Sequence, residues 1–278
     1  MSLPLPLPWP FERTYMQLAL AAGLVVGLCA PLIGTFLVQK RLSLLGDGIG
    51  HVAFAGVSAG LLAGVWPTWT ALVAAVAAAV AVEWLRSRGR ATGDFALALL
   101  FYSGIAGGVV LAGLAGSYDA GVLTYLFGSI LTVTRSDAVT VAVLGGVILL
   151  AVVASWRALF AVVLDEPAAR VAGLPVDLLN LGLVALAAVT VVAAMRVVGV
   201  LLVAALMVLP VGSAQRLARS FRGTLVVAAA IGGASVVGGL VAARLWALAP
   251  GGTIVLVAAA VFAVTAARGT VHAWPSDR

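Results

Sequence analysis

Nine apolar runs, most of them about twenty residues long, follow one another along this chain, and none holds more than two charged side chains. That repetition constrains the fold more than any single motif. A helix needs about 20 apolar residues to cross the hydrocarbon of a bilayer, and within lipid every backbone amide must find its partner in the protein. Runs of this kind become membrane-spanning helices. The composition agrees, because 63% of the 278 residues are hydrophobic and only 9% are charged, too little polar surface to coat a soluble protein of this size. The expected fold is all-α: a polytopic transmembrane helical bundle, residues 1–278 forming a single domain with almost no mass outside the membrane.

The runs place spans at 16–38, 43–64, 68–85, 94–115, 137–163, 176–195, 197–215, 224–243 and 253–267. Residues 121–134, "GVLTYLFGSILTVT", are too short to cross and read as an interfacial or re-entrant helix, and the junction at 195–197 is tight for two ordinary spans. Eight to ten crossings are therefore expected. The N-terminal "MSLPLPLPWPFER" (residues 1–13) lacks the pattern of a signal peptide, so insertion is expected to use the first span. A polar tail follows at 268–278. With nine spans, "QKR", "RSRGR", "RLARSFR" and Arg268 fall on one side, which the positive-inside rule makes cytoplasmic. The net charge of +6 is then a topology signal, not a nucleic-acid footprint. Cys29 is the only cysteine, so no intrachain disulfide can form, and its apolar setting marks it as a small core residue.

The second span carries Asp47 and His51, the one histidine in an apolar run. Four residues of helix put both side chains on one face, with Cβ atoms about 5–6 Å apart. A carboxylate and an imidazole so placed can share a divalent cation, and that donor set suits zinc and other first-row metals. The plainer alternative is a hydrogen-bonded pair near a helix N-terminus, stabilised by the helix dipole. Gly46, Gly48 and Gly50 flank the pair, which suggests room for ligands or water. Gly56, Gly60 and Gly64 follow at four-residue spacing, a row that lets helices approach closely and places this span inside the bundle. The span boundaries put Asp47 nearer the cytoplasmic end than the midplane.

A second constellation, "DEPAARVAGLPV" at 165–176, is a short helix-compatible segment with two acids at its start and Gly173 as a C-cap. By its residues alone it is either an amphipathic loop or a docking helix for a soluble partner.

Taken together, "GDGIGH", "YLFGSILTV", the Glu166-x-Ala168-Ala169-x-x-x-Gly173 loop, "RVVGVLLVAALMVLPVGSAQRLARSF" and "PGGTIVLVAA" resemble the bacterial zinc/manganese ABC-transporter permeases, the ZnuB-like family, over about residues 14–267. The resemblance implies a plasma-membrane permease, homodimeric or pseudo-dimeric, working with a cytoplasmic ATPase and an extracytoplasmic metal-binding protein. It implies that Asp47 and His51 are transient ligands for Zn2+, or for Mn2+ or Fe2+, in the translocation pathway. It also implies that the 165–175 loop, with Asp165, Glu166, Ala168, Ala169 and Gly173, couples to that ATPase. ATP would bind on the partner, and the chain itself has no GxxxxGK[ST] phosphate loop. No permanently bound cofactor and no catalytic residue are expected.

The competing reading is a proton- or ion-coupled carrier with Asp47 and His51 as a relay. The scarcity of other intramembrane acids and the absence of a visible inverted repeat count against it. An intramembrane enzyme would need catalytic groups that the spans lack. Among the remaining polar residues, Glu83 is expected to pair with Arg86, Asp94 to sit at a helix start, and Asp119 to be a solvated loop acid. Arg196 reads as a snorkelling or structural residue at a helix break, and Pro210 as a kink in the seventh span.

Overall fold

The computed structural model describes residues 9–89, 93–116, 120–129 and 132–268. Among these the chain forms eleven helices and no strand: α1 (Thr14–Gln39), α2 (Leu45–Leu62), α3 (Pro67–Ser87), α4 (Gly93–Leu114), α5 (Ala120–Phe127), α6 (Arg135–Leu164), α7 (Glu166–Val171), α8 (Val176–Ala194), α9 (Val203–Leu217), α10 (Phe221–Trp246) and α11 (Pro250–Ala267). Eight of them are long and apolar enough to cross a membrane. The seventh expected span, α9, has only 15 residues, about 22 Å of helix. Residues 195–202, which were expected to lie mostly within it, form turns instead. Asp119, the side chain of Asp94 and the tail with His272 lie outside the described residues.

The basic runs gather at one end of the bundle. Lys40, at the end of α1, bonds to Glu166 at the start of α7. The ring of Phe221, at the start of α10, meets Phe36 near that same end of α1. Arg216 stacks over Phe262 in the last turns of α11. By the positive-inside rule this is the cytoplasmic end.

Helix α1 is the central post, packed by α6, α8, α9 and α10. Lipid supplies no hydrophobic drive between helices, so they are held by close van der Waals fit, and small residues set that fit. Gly27 on α1 and Gly232 on α10 meet backbone to backbone. At Gly34 a Cβ would overlap the Met207 carbonyl of α9. Gly34→Val is therefore expected to force α1 and α9 apart and to destabilise the protein by about 1–3 kcal/mol, the usual cost of overpacking. A fall in the melting temperature of the detergent-solubilised protein checks this. Gly146→Ala, where a Cβ meets nothing within 4 Å, should leave it unchanged.

Among the described residues, the break between α8 and α9 is the one long stretch of irregular backbone inside the bundle. Non-helical backbone is tolerated at membrane depth only where protein covers it, and Met195, Val197, Val198 and Val200 are all buried. Its amides are partly met by the end of α5, with Val200 N–H donating to Tyr125 O (3.0 Å) and Leu201 N–H to Leu126 O (3.3 Å). The two strips approach closely because Gly128 and Gly199, both at positive φ, face each other without side chains. Within the 121–134 segment expected to be interfacial or re-entrant, the helix is the short α5, and its last carbonyls supply these acceptors. Arg196 does not snorkel: it donates to Asp137 Oδ2 at 2.9 Å and to Thr132 O at 3.2 Å, and lies over the Tyr125 ring. Asp137 also closes a capping box with Thr134 at the start of α6. Arg196 therefore ties α6, α5 and the break together.

Candidate metal pathway and coupling segment

Helix α2 is fixed on three sides by its glycines. Gly48 faces Leu100 and Phe101 of α4, and Gly104 of α4 lies against the His51 backbone. Gly56 and Gly60 admit Ala71 and Thr70 of α3. Gly46 meets Met207 and Ala204 of α9, and Gly50 meets the Val200 carbonyl of the break. The glycines around Asp47 thus serve close helix contact; the expectation that they leave room for ligands is corrected. Gly64 is corrected too. It lies beyond the helix at φ +65° in the turn that closes α2, with nothing near it to pack on.

What remains of α2 is one open stripe: Leu44, Asp47, His51, Ala55, Ala59 and Leu62 are half-buried or exposed. Asp47 and His51 are neighbours on it, as the spacing predicted. No hydrogen bond joins them, so the plainer reading of a mutually satisfied pair is not what forms. The His51 ring lies 5.0 Å from the Phe101 ring, which limits how far it can swing. Among the described residues no cluster of three or more His, Cys, Asp or Glu is placed to hold a metal. The stripe offers two such donors among the described residues, Asp47 and His51.

Depth follows from the same contacts. After α1 the chain turns back sharply, with Leu42 N–H donating to Leu37 O and Arg41 at φ +59°. The start of α2 therefore packs on α9, the helix that α1 also meets. Gly34 and Gly46 both abut Met207, which puts Asp47 level with a point five residues, about 8 Å, inside the end of α1. His51, one turn further in, is level with the break at Val200.

At the cytoplasmic end, α7 is built as its residues predicted. Asp165 caps it, accepting from Ala168 N–H at 2.9 Å, with Pro167 in the first turn. Ala169 is buried against Val162 and Val176. Gly173, at φ +82°, ends it, with Leu174 N–H returning to Ala169 O. Pro167, Ala168, Val171 and Ala172 are exposed, Val171 at 91%. Glu166 instead turns inward. Lys40 Nζ donates to Glu166 Oε2 at 2.9 Å and to Asn180 Oδ1 of α8 at 2.6 Å. Arg170 bridges Asp177 (2.8 Å) and Glu166 (3.7 Å). Burial alone would raise the Glu166 carboxyl, but its bonds to Lys40 and Asn180 and the charge of Arg86 hold it below the ordinary carboxylate value. Arg86 is itself bound by Glu83 through two bonds of 2.6 and 2.7 Å, as expected. Lys40 and Asn180 escaped the sequence reading. The available signal was an asparagine within an otherwise apolar span.

This fold and these motifs can be set beside known proteins. The family model of the ABC 3 transport family matches residues 12–269. The manganese transport system membrane protein MntC of Halalkalibacterium halodurans is 31% identical, over 90% of this chain and 86% of its own. The high-affinity zinc uptake system membrane protein ZnuB of Haemophilus influenzae is 27% identical, over 89% of this chain and 95% of its own. The structure of PsaBC from Streptococcus pneumoniae in complex with Fab superimposes with a TM-score of 0.83 at 29% identity, covering 91% of each chain. Eight membrane-crossing helices, the match over nearly the whole length and this structural likeness converge: the chain belongs to the ABC 3 transport family and is a multi-pass membrane permease of the ABC metal-transport type.

Proposed function

We propose that this chain is the permease subunit of an ATP-driven importer that carries a divalent first-row metal, zinc foremost, with manganese and iron(II) as alternatives. The observation that carries the reading is the open stripe of α2, where a carboxylate and an imidazole stand side by side on an otherwise apolar helix. Ionisable groups in a membrane interior mark substrate paths, and nitrogen-plus-oxygen ligation suits these metals. Two donors make a weak site, which suits a cation that must leave again. In a homodimer a second copy would bring its own Asp47 and His51 and raise the donor set to four.

An extracytoplasmic binding protein delivers the metal in this reading, and a cytoplasmic ATPase supplies the energy. Helix α7 is the docking element, offering Pro167, Ala168, Val171 and Ala172 to the ATPase while Glu166 holds it to the bundle. ATP-driven closure of the partner then shifts the permease between outward-open and inward-open states. The proton-coupled carrier is disfavoured by the family to which the chain belongs.

Uptake of radiolabelled zinc into cells expressing the complete transporter tests the proposal. Uptake should vanish when the ATPase partner is made hydrolytically inactive. Transport that persists would refute the ATP-driven reading. Unlabelled Mn2+ and Fe2+ added in excess rank the metals in the same assay.

A further inference from the structure

A cavity of about 400 Å³ opens at the cytoplasmic end of the bundle, on a side remote from α2, lined by Trp156, Arg157 and Phe160 of α6 and by Ser220, Phe221 and Arg222 at the start of α10. Neither metal passage nor coupling uses it. Its floor is an aromatic cluster in which Phe36 of α1 meets the rings of Trp156 and Phe221 at 6.3 and 5.4 Å, with Phe160 stacked on Trp156 at 6.0 Å. Its rim carries two arginines.

The surroundings say what it faces. On α6, Val139, Val143, Val147, Leu150 and Val153 form a continuous exposed apolar stripe, and Arg157 is the next residue on it toward the cytoplasm. On α10, Arg222 begins a similar stripe that continues through Val226, Ala230, Ala234 and Val237. Both helices pack on α1 and meet each other through the Trp156, Phe160 and Phe221 rings at the cytoplasmic end, and Leu28 of α1 is 42% exposed beside Gly233 of α10. Two stripes long enough to line a leaflet thus flank a shallow apolar groove, and each ends in an arginine at the same level.

Those arginines have no acidic partner. Arg157 makes no hydrogen bond or ion pair among the described residues, and Arg222 makes only a cation–π contact, its guanidinium 5.6 Å from the Trp156 ring. The contrast with Arg86, Arg170 and Arg196, each bound to a carboxylate, is sharp. An unpaired guanidinium presents a planar fork of donors that matches a phosphate, and the ring beneath Arg222 holds it in place without using those donors. Basic pockets between helices on the cytoplasmic side are the usual receptors for anionic lipid headgroups.

We propose that this cavity binds the phosphodiester headgroup of an anionic phospholipid of the inner leaflet, held by Arg157 and Arg222, with an acyl chain lying along the groove between α6 and α10. The stripes favour lipid over a protein partner, since their apolar surface continues from the cavity into the membrane. The site lies next to the α9–α10 turn and a few turns above α7, so an occupied pocket would brace the end of α6 that carries the coupling helix.

Native mass spectrometry of the purified full-length chain tests this, with phosphatidylglycerol or phosphatidylcholine of matched acyl chains added. The wild type is expected to retain phosphatidylglycerol about tenfold better, as befits two cationic contacts at the headgroup level. R157Q/R222Q should lose that preference. R157K/R222K, which keeps both charges, should retain it, and so should R244Q, at the opposite end of the bundle. A preference unchanged in R157Q/R222Q, or lost equally in R244Q, would overturn the proposal. Displacement of the lipid by inorganic phosphate would overturn it in favour of a free-anion site. Loss of ATPase co-purification in R157Q/R222Q with lipid retention unchanged would assign the surface to the ATPase instead.

Discussion

Replacing Asp47 or His51 with alanine is expected to reduce labelled-zinc uptake by at least about a hundredfold, equivalent to roughly 2.7 kcal/mol of lost metal stabilisation along the path. The size follows from the donor count. With two donors per chain and no third His, Cys, Asp or Glu nearby among the described residues, removing one halves what each subunit contributes. Folding should survive, because both side chains sit on the open stripe and neither is joined to the other by a hydrogen bond that the substitution would break. Assembly with the ATPase should survive as well, since α7 lies at the cytoplasmic end, away from the pair. Asp47→Asn and His51→Gln retain the shape while weakening ligation, so they should fail in uptake too. Wild-type rates in the alanine variants would assign the pair to packing.

The second large effect is expected at Lys40. Its side chain is only 8% exposed, and one ammonium bonds both α7 and α8. Lys40→Met removes the charge and keeps the bulk, leaving the buried Asn180 amide without this partner and Glu166 without its main tether. An unsatisfied buried polar group costs about 1–3 kcal/mol, and the Glu166 share is smaller because that side chain is more than a third exposed. The consequence is mechanical. Helix α7 can still meet the ATPase through Val171, but its movement no longer pulls on the end of α1 and on the short turn that leads to Asp47. Uptake should fall by about tenfold, the effect of roughly 1.4 kcal/mol, while the ATPase still co-purifies. Unchanged uptake would remove Lys40 from the transmission. The pH dependence has a definite sign. Glu166 is held below its ordinary value of 4.5, so its stabilising contribution is complete above that pH and is lost as the pH falls below it. Amide exchange across α7 should accelerate on acidification in the wild type, and Lys40→Met should show much less of that change.

Most of the helical frame was legible because a span is a local object: twenty apolar residues leave the backbone no other solution in lipid. The Asp47–His51 juxtaposition was legible for the same reason, since helical periodicity alone aligns residues four apart. What escaped the sequence depends on contacts between distant segments. Residues 197–202, "VVGVLL", are as apolar as any helix, and only the approach of Gly199 to Gly128 and the amide bonds to Tyr125 and Leu126 make them a break. Gly46, Gly48 and Gly50 suggested space, yet it is filled by α9, α4 and the break at Val200. The Lys40–Glu166 pair joins residues 126 positions apart, beyond the reach of any spacing rule. The sharp turn between α1 and α2, with Arg41 at φ +59° and Leu42 N–H returning to Leu37 O, is likewise a feature that no hydrophobic run reveals.

The chain's single thiol has a practical consequence. Cys29 is 2% exposed, with its sulfur 3.7 Å from the Gly145 carbonyl of α6, so reagents added from water do not reach it. The native protein is in effect already a blank background for site-directed labelling. A cysteine introduced at the protruding Val171, or on the open stripe at Ala55, would be the sole reactive handle, and spin or fluorescent probes there could follow the transport cycle without first engineering cysteines away.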